Sequence, residues 1–240
     1  MIPYPLTMGG LGRIIRPGLP PLGDQLVLLH GDGVDGSTTI TDNGLAGRIW
    51  TAAGNAQIDT AQSVFGGASI NIVSAAATTA NYITTPDAAD LSPGAQNFTI
   101  DLRCRWAATN LTNFAPTFIA KRNVASNFEY QFVYLNGQLA FYYSTNGTAT
   151  STIAVNWTPS LNTWYHIEVV RYGSNFYFFV DGVQVGATQT ITGTIFSGTS
   201  AMYVFTDGSN ATKFEGWIDE LSFIIGARHI SNFTPPAAPY

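Results

Sequence analysis

The sequence predicts an all-β protein, folded as a two-sheet antiparallel sandwich of the jelly-roll kind and preceded by an extended N-terminal arm. Three observations predict it. From residue 26 onward the chain is made of short runs rich in β-branched and aromatic residues. Gly, Asn, Asp and Pro separate these runs at close spacing, and no stretch of helical period competes with them. Many short strands with frequent turn signals are the pattern of a sandwich or jelly roll. The 240 residues suffice for one large domain of this type or two small ones.

Residues 1–24, MIPYPLTMGGLGRIIRPGLPPLGD, differ from everything after them. Their prolines and glycines disfavour helix, and proline is excluded from a sheet interior. Their apolar side chains are too many for a solvated linker. An extended docking arm is expected, with Tyr4, Leu11, Arg13, Ile14, Ile15 and Arg16 facing its own domain or a partner. A disordered terminus is the other reading. Residues 25–240 form the domain.

The strand candidates follow in order. LVLLH leads into the loop DGVDGSTTITD. ASINIV and NYITT come next. In FTIDLRCRW, Phe98, Ile100, Leu102, Cys104 and Trp106 alternate with Thr99, Asp101, Arg103 and Arg105, so the single cysteine reads as a buried apolar residue. TFIAK follows. In FVYLNGQLAFYY the pair Asn136-Gly137 supplies the two positive-φ residues of a type I′ turn. That turn fixes the register, with Phe132 opposite Phe141 and Tyr130 opposite Tyr143. Tyr142 then falls on the opposite, polar face. In FYFFVDGVQVG the pair Asp181-Gly182 does the same, placing Phe176, Phe178, Val180, Val183 and Val185 on one face and Tyr177, Phe179 and Gln184 on the other. WYHIEVVRY, MYVF and FEGWIDELSFII complete the set.

Composition narrows the function. Charged residues are 10% of the chain and the net charge is -5. The surface must be covered by uncharged hydrogen-bonding residues, which suits sugars or dense assembly. Phosphate neutralisation is not available, so no nucleic-acid partner is expected. No run approaches the roughly 18 apolar residues of a membrane span. The N-terminus lacks a secretory signal pattern. One cysteine allows no intrachain disulfide and no cysteine-based zinc site.

WYHIEVVRYGSNFYFFVDGVQVG, followed by FEGWIDELSFIIGARHISNFTPPAAPY, resembles the laminin G-like, concanavalin A-like jelly rolls, above all those of phage virion and bacterial surface proteins. The likeness covers about residues 26–240. It implies the fold. For function it implies less, because that fold hosts lectins, glycosidases, adhesion modules and inert structural parts.

FEGWIDEL poses the sharpest chemical question. Glycosidases of this fold resemble one another in an E-x-D-x-E strand, whose alternate carboxylates share one cleft. Here residues 215, 217, 219 and 221 are Glu, Trp, Asp and Leu. The triplet is broken, with Glu220 expected on the other face beside Ile218, so no catalytic residue is assigned and no enzyme is expected. The resemblance also implies a structural calcium held by Asp32 and Asp219; loop-stabilising Asx-turns are the competing reading. Glycan stacking is the remaining chemistry, with Tyr142, Tyr177, Phe179 and Gln184 as candidates.

The expectation is therefore a non-enzymatic virion structural protein: a capsid decoration, head-fibre or tail component. It would be made in the host cytoplasm, belong to a homo- or hetero-oligomeric assembly, and dock on other virion proteins through residues 1–24. A carbohydrate-binding adhesion module for host-surface glycans is the alternative, and a glycoside hydrolase stands behind both.

Overall fold

A computed structural model describes residues 23–72, 81–107, 116–123, 127–208 and 214–240. The arm residues Tyr4, Leu11, Arg13, Ile14, Ile15 and Arg16 lie outside the described residues. Of the segment 1–24 only Gly23 and Asp24 are described, and their backbone pairs with Ile225.

The described chain is all-β apart from one 3-10 turn at Ala89–Leu91. The strands are β1 (Gln25–Leu29), β2 (Thr51–Ala53), β3 (Gln57–Asp59), β4 (Ser69–Ile72), β5 (Tyr82–Thr85), β6 (Phe98–Trp106), β7 (Thr117–Asn123) and β8 (Asn127–Leu135). They continue as β9 (Gln138–Tyr143), β10 (Ser151–Asn156), β11 (Trp164–Tyr172), β12 (Asn175–Val180), β13 (Val183–Gln184), β14 (Gln189–Thr190), β15 (Met202–Phe205) and β16 (Gly216–Ile225). Among the described residues no helix is long and apolar enough to cross a membrane.

Two antiparallel sheets form the sandwich. The first runs β13-β12-β11-β6-β16-β4-β3, with β1 joined to β16 and β14 to β12. The second runs β10-β9-β8-β7-β15-β5-β2. Strand β16 is the spine of the first sheet: β6 pairs along its length, while β4 takes its first residues and β1 its last on the other edge.

Alternation explains the core. Phe98, Ile100, Leu102, Cys104 and Trp106 all point inward from β6 and are buried. Burial pushes the Cys104 thiol well above its ordinary pKa. Phe98 and Phe176 meet Phe141 from across the sandwich at ring separations of 5.7 and 5.2 Å. Each such aromatic pair adds about 0.5–1.5 kcal/mol beyond its area burial.

Both predicted hairpins form. Asn136 and Gly137 have φ of 52° and 79°, and Asp181 and Gly182 have 48° and 77°. The first brings Phe132 opposite Phe141 and Tyr130 opposite Tyr143, as the turn requires. The second departs from its expected faces. Val183 runs past the core and is 56% exposed, while Phe179, on the face expected to be polar, is fully buried.

The other departure lies in FEGWIDEL. Asp219 pairs with Arg103 and Ser222 with Asp101, so two residues of β16 stand opposite one of β6. This β-bulge forces Glu220 to φ 53° and shifts the alternation by one residue. Ile218 points into the core before it, and Leu221 and Phe223 after it. Glu220 therefore does not lie beside Ile218. It faces outward with Asp219, and Leu221 takes the inward place.

Candidate functional site

The outer faces of the two sheets carry the polar and aromatic side chains that the core does not use. On the first sheet, the chain after β16 turns back over the strands. Arg228 donates to the Asp101 carboxylate at 2.9 Å and to Ser222 at 3.2 Å. His229 lies 3.0 Å from Glu168. The ring of Phe233 stacks on His229, with centroids 3.5 Å apart, and packs on Phe179 at 5.4 Å. The Tyr240 amide donates to Glu220 at 3.0 Å, and the Arg228 guanidinium sits over the Tyr240 ring. Val170, Phe179 and Ala227, with Tyr172, Tyr177, Ile230 and Phe233 against them, form a second small core beneath this tail.

The tail decides the fate of three glycan candidates. Phe179 lies under Phe233 with no exposed surface, so no sugar can stack on it. Tyr177 is half-buried and lies nearly parallel to Phe179, at 6.4 Å and 13°. The Gln184 backbone N–H donates to the Asn232 side-chain oxygen, and its side-chain amide donates to the Gly186 carbonyl and the Thr188 hydroxyl. These three belong to the seat of the tail. The reason is long-range: a segment about fifty residues later in sequence returns to cover the face.

Asp101, His166 and Glu168 form a buried cluster with metal-ligand chemistry. The Arg228 guanidinium already occupies one side of it, 2.9 Å from Asp101. Burial pushes the Asp101 carboxyl up, but the Arg228 guanidinium and His166 outweigh it and hold the group below its ordinary range.

The acidic stretch of β16 is also engaged. The Asp219 Oδ2 accepts from the Val64 and Phe65 amides at 2.7 and 3.1 Å. Glu220 holds His30 at 2.7 Å and the Tyr240 amide. The second Asp219 oxygen, Oδ1, is buried without a hydrogen-bond partner among the described residues. Burial pushes the Asp219 carboxyl up to about 6 against the pull of the two amides. Asp32 reaches the same turn, since a Cβ added to Gly66 would lie 1.6 Å from its Oδ1. Asp32 and Asp219 thus flank one turn, and the unpaired oxygen fits a cation. Asp35 and Asp42 instead accept loop amides, from Thr60 and from Leu28 and Gly44.

Tyr142 stands on the other sheet. The registers place Thr152, Tyr142, Gln131, Ala120, Tyr203, Thr84 and Thr51 side by side across all seven strands. Three strand spacings of about 4.8 Å separate Tyr142 from Tyr203, roughly 14 Å in all. Tyr203 is braced edge-on by Tyr82 at 5.5 Å. Gln131 lies between them, donating to Thr117 and accepting from Arg122, which pairs with Asp207 at 3.2 Å. Burial raises the pKa of both Tyr142 and Tyr203, so their hydroxyls stay protonated and can donate. The hairpin register puts Gln131 beside Tyr142, but Tyr203 is not legible in the sequence; only the strand order β9-β8-β7-β15 brings it into the row.

The family described as the concanavalin A-like lectin/glucanases superfamily matches residues 77–229. No curated protein matches the sequence. Among solved structures, the chain is similar to the binding domain of Paraclostridial Mosquitocidal Protein 1, with a TM-score of 0.65, 15% identity, and 86% of this chain and 50% of that one covered. It is also similar to the botulinum neurotoxin serotype G binding domain, with a TM-score of 0.64, 13% identity, and coverage of 86% and 49%. A third is domain 4 of AbnA, a GH43 extracellular arabinanase from Geobacillus stearothermophilus, in complex with arabinotriose. Its TM-score is 0.62, with 15% identity and coverage of 85% and 93%. The chain spans about half the length of the first two, and at these identities the likeness is one of fold.

Proposed function

Since the chain belongs to the concanavalin A-like lectin/glucanases superfamily, we propose that it is a non-catalytic carbohydrate-binding module whose site is the outer face of the second sheet. The observation that carries this reading is the pair of half-buried rings Tyr142 and Tyr203, set in one cross-strand row with the buried Gln131 and Ala120 between them. Half-buried aromatic rings offer apolar faces to the C–H side of a sugar ring, and the phenolic hydroxyls at their rims hydrogen-bond its hydroxyls. Two rings about 14 Å apart suit an oligosaccharide laid across the strands. The fold neighbours support it. One is in complex with arabinotriose, and another belongs to botulinum neurotoxin type C, whose cell entry is dependent upon interaction with two ganglioside molecules. The structural use of Asp219 and Glu220 supports the absence of catalysis.

The test is a glycan array followed by titration of the hits. Tyr142→Ala and Tyr203→Ala are each expected to weaken binding about tenfold or more, about 1.4 kcal/mol, with little change in melting temperature. An array without hits, or hits insensitive to both variants, would sink the proposal.

Display of this module on a virion, anchored through residues 1–24, is the reading that the sequence of the arm supports. Deleting residues 1–22 should leave a folded domain that no longer joins its particle; normal incorporation of the truncated protein would overturn it. Asp32 and Asp219 are the residues that would hold a structural calcium ion, which would neutralise the unpaired Asp219 oxygen and pin the turn at 64–66.

A further inference from the structure

We propose a second binding site, for a saccharide carrying a carboxylate, on the part of the first sheet that lies beside the tail: the cross-strand row Trp164, Arg105, Trp217. The three come from β11, β6 and β16, which are neighbours in the sheet but distant in sequence. Trp164 pairs with Arg105, and Arg105 with Trp217. All three point outward, because their neighbours Tyr165, Cys104 and Ile218 face the core. All three are half-buried rather than sealed.

Charge selects the class of ligand. Among the described residues, Arg48, Lys121, Arg122 and Arg228 each meet a carboxylate. Arg171 is held by the carbonyls of Gly94, Gly173 and Gly193. Arg103 and Arg105 have no carboxylate within ion-pair distance among the described residues, in a protein of net charge -5. They stand two residues apart on the same face of β6. Each is positioned by neutral contacts. The Arg105 guanidinium sits 5.0 Å from the Trp217 ring centroid and donates to the Asn162 side chain at 2.8 Å. Arg103 lies 5.7 Å from the Phe65 centroid and donates to the Pro236 carbonyl at 2.6 Å. Of the carboxylates on β16, Asp219 accepts from the Val64 and Phe65 amides through one oxygen, and Glu220 meets His30 and Tyr240.

An arginine that is oriented by an aromatic face and one hydrogen bond keeps further N–H donors for a planar acceptor. A carboxylate fits that fork, and the flanking indoles offer apolar faces for the ring that bears it. A uronic acid and a sialic acid share this chemistry.

The experiment is calorimetric titration of the full chain with 3′-sialyllactose and with trigalacturonic acid, each beside its neutral counterpart, lactose and galactotriose. At least one acidic probe should bind about tenfold or more tighter than its counterpart, and more weakly as salt rises. Arg105→Ala and Trp164→Ala should each weaken that binding about tenfold or more, and Tyr142→Ala should leave it unchanged. Arg105→Lys keeps the charge without the fork and should recover only part of the loss; it carries the test if Arg105→Ala does not fold. Equal binding of acidic and neutral probes, or full affinity in both folded variants, would overturn the proposal. Loss of acidic binding with Tyr142→Ala would overturn the separateness of the two sites. A neutral-glycan site on the second sheet can fail without touching this one.

Discussion

Phe179 and Tyr142 carry the same sequence signature and meet opposite fates. Each is an aromatic on the outward face of a hairpin strand, among polar neighbours. The tail closes over Phe179, and Phe233 packs on it to make a satellite core. Tyr142 stays half-buried on the other sheet, in a row with Gln131 and Tyr203. The difference teaches that the period of a strand tells which side a ring is on, but not whether anything returns to cover that side.

The comparison breaks most visibly at the tail. Arg228→Ala removes the partner of a buried carboxylate, and such losses cost about 3–5 kcal/mol. Thermal melts should show it at neutral pH. The folded Asp101 carboxyl lies below its ordinary pKa, so its contribution to stability is present above the unfolded value near 4 and is lost as pH falls through the folded one. In Arg228→Ala the penalty should therefore shrink in acid, where protonation discharges the orphaned group. A penalty independent of pH would mean that the ion pair does not hold the tail.

Phe179→Ala should cost about 3–5 kcal/mol, as truncation of a buried aromatic does. The tail should loosen with it, read as faster amide exchange over residues 227–240. A cost below about 1 kcal/mol would show that the satellite core is not formed.

Asp219 tests the bulge beside it. Its folded carboxyl is pushed up to about 6 by burial, above its unfolded value. For an acid this means that stability rises as pH falls from about 6 towards 4, by about 1–3 kcal/mol. Asp219→Asn should abolish that slope. Added calcium should raise the melting temperature of the wild type at pH 7 and leave that of Asp219→Asn unmoved.

Tyr142→Ala is the smallest stability effect, expected within about 1 kcal/mol, and the complement of Phe179→Ala. A loss as large as that of Phe179→Ala would erase the distinction between the two faces.

Much of this architecture is legible in the sequence. The strands of β6, β8, β9 and β12 follow from alternation, and the NG and DG turns fix two registers outright. Four strands escaped for local reasons: β10 is polar, and β2, β3 and β14 are only two or three residues long. The bulge at Glu220 escaped because a single residue in left-handed backbone leaves the run of strand-forming residues intact. Two adjacent acids where strict alternation would bury one were the available sign. The sites were less legible than the fold. Trp164, Arg105 and Trp217 are separated by many residues and meet only through the strand order β11-β6-β16. The tail covers Phe179 through contacts that no window of sequence contains.

Cys104 gives the molecule a built-in reporter of its own opening. The lone thiol lies mid-strand on the inward face of β6, with Tyr165 and Ile218 as its lateral neighbours, and is fully buried. Its raised pKa withholds the reactive thiolate. Alkylation by a maleimide or exchange with an aromatic disulfide must wait for the two sheets to part. The labelling rate, set against that of the unfolded chain, measures how often they part, and glycan, calcium and tail variants can be ranked by how far each one slows or hastens that reaction.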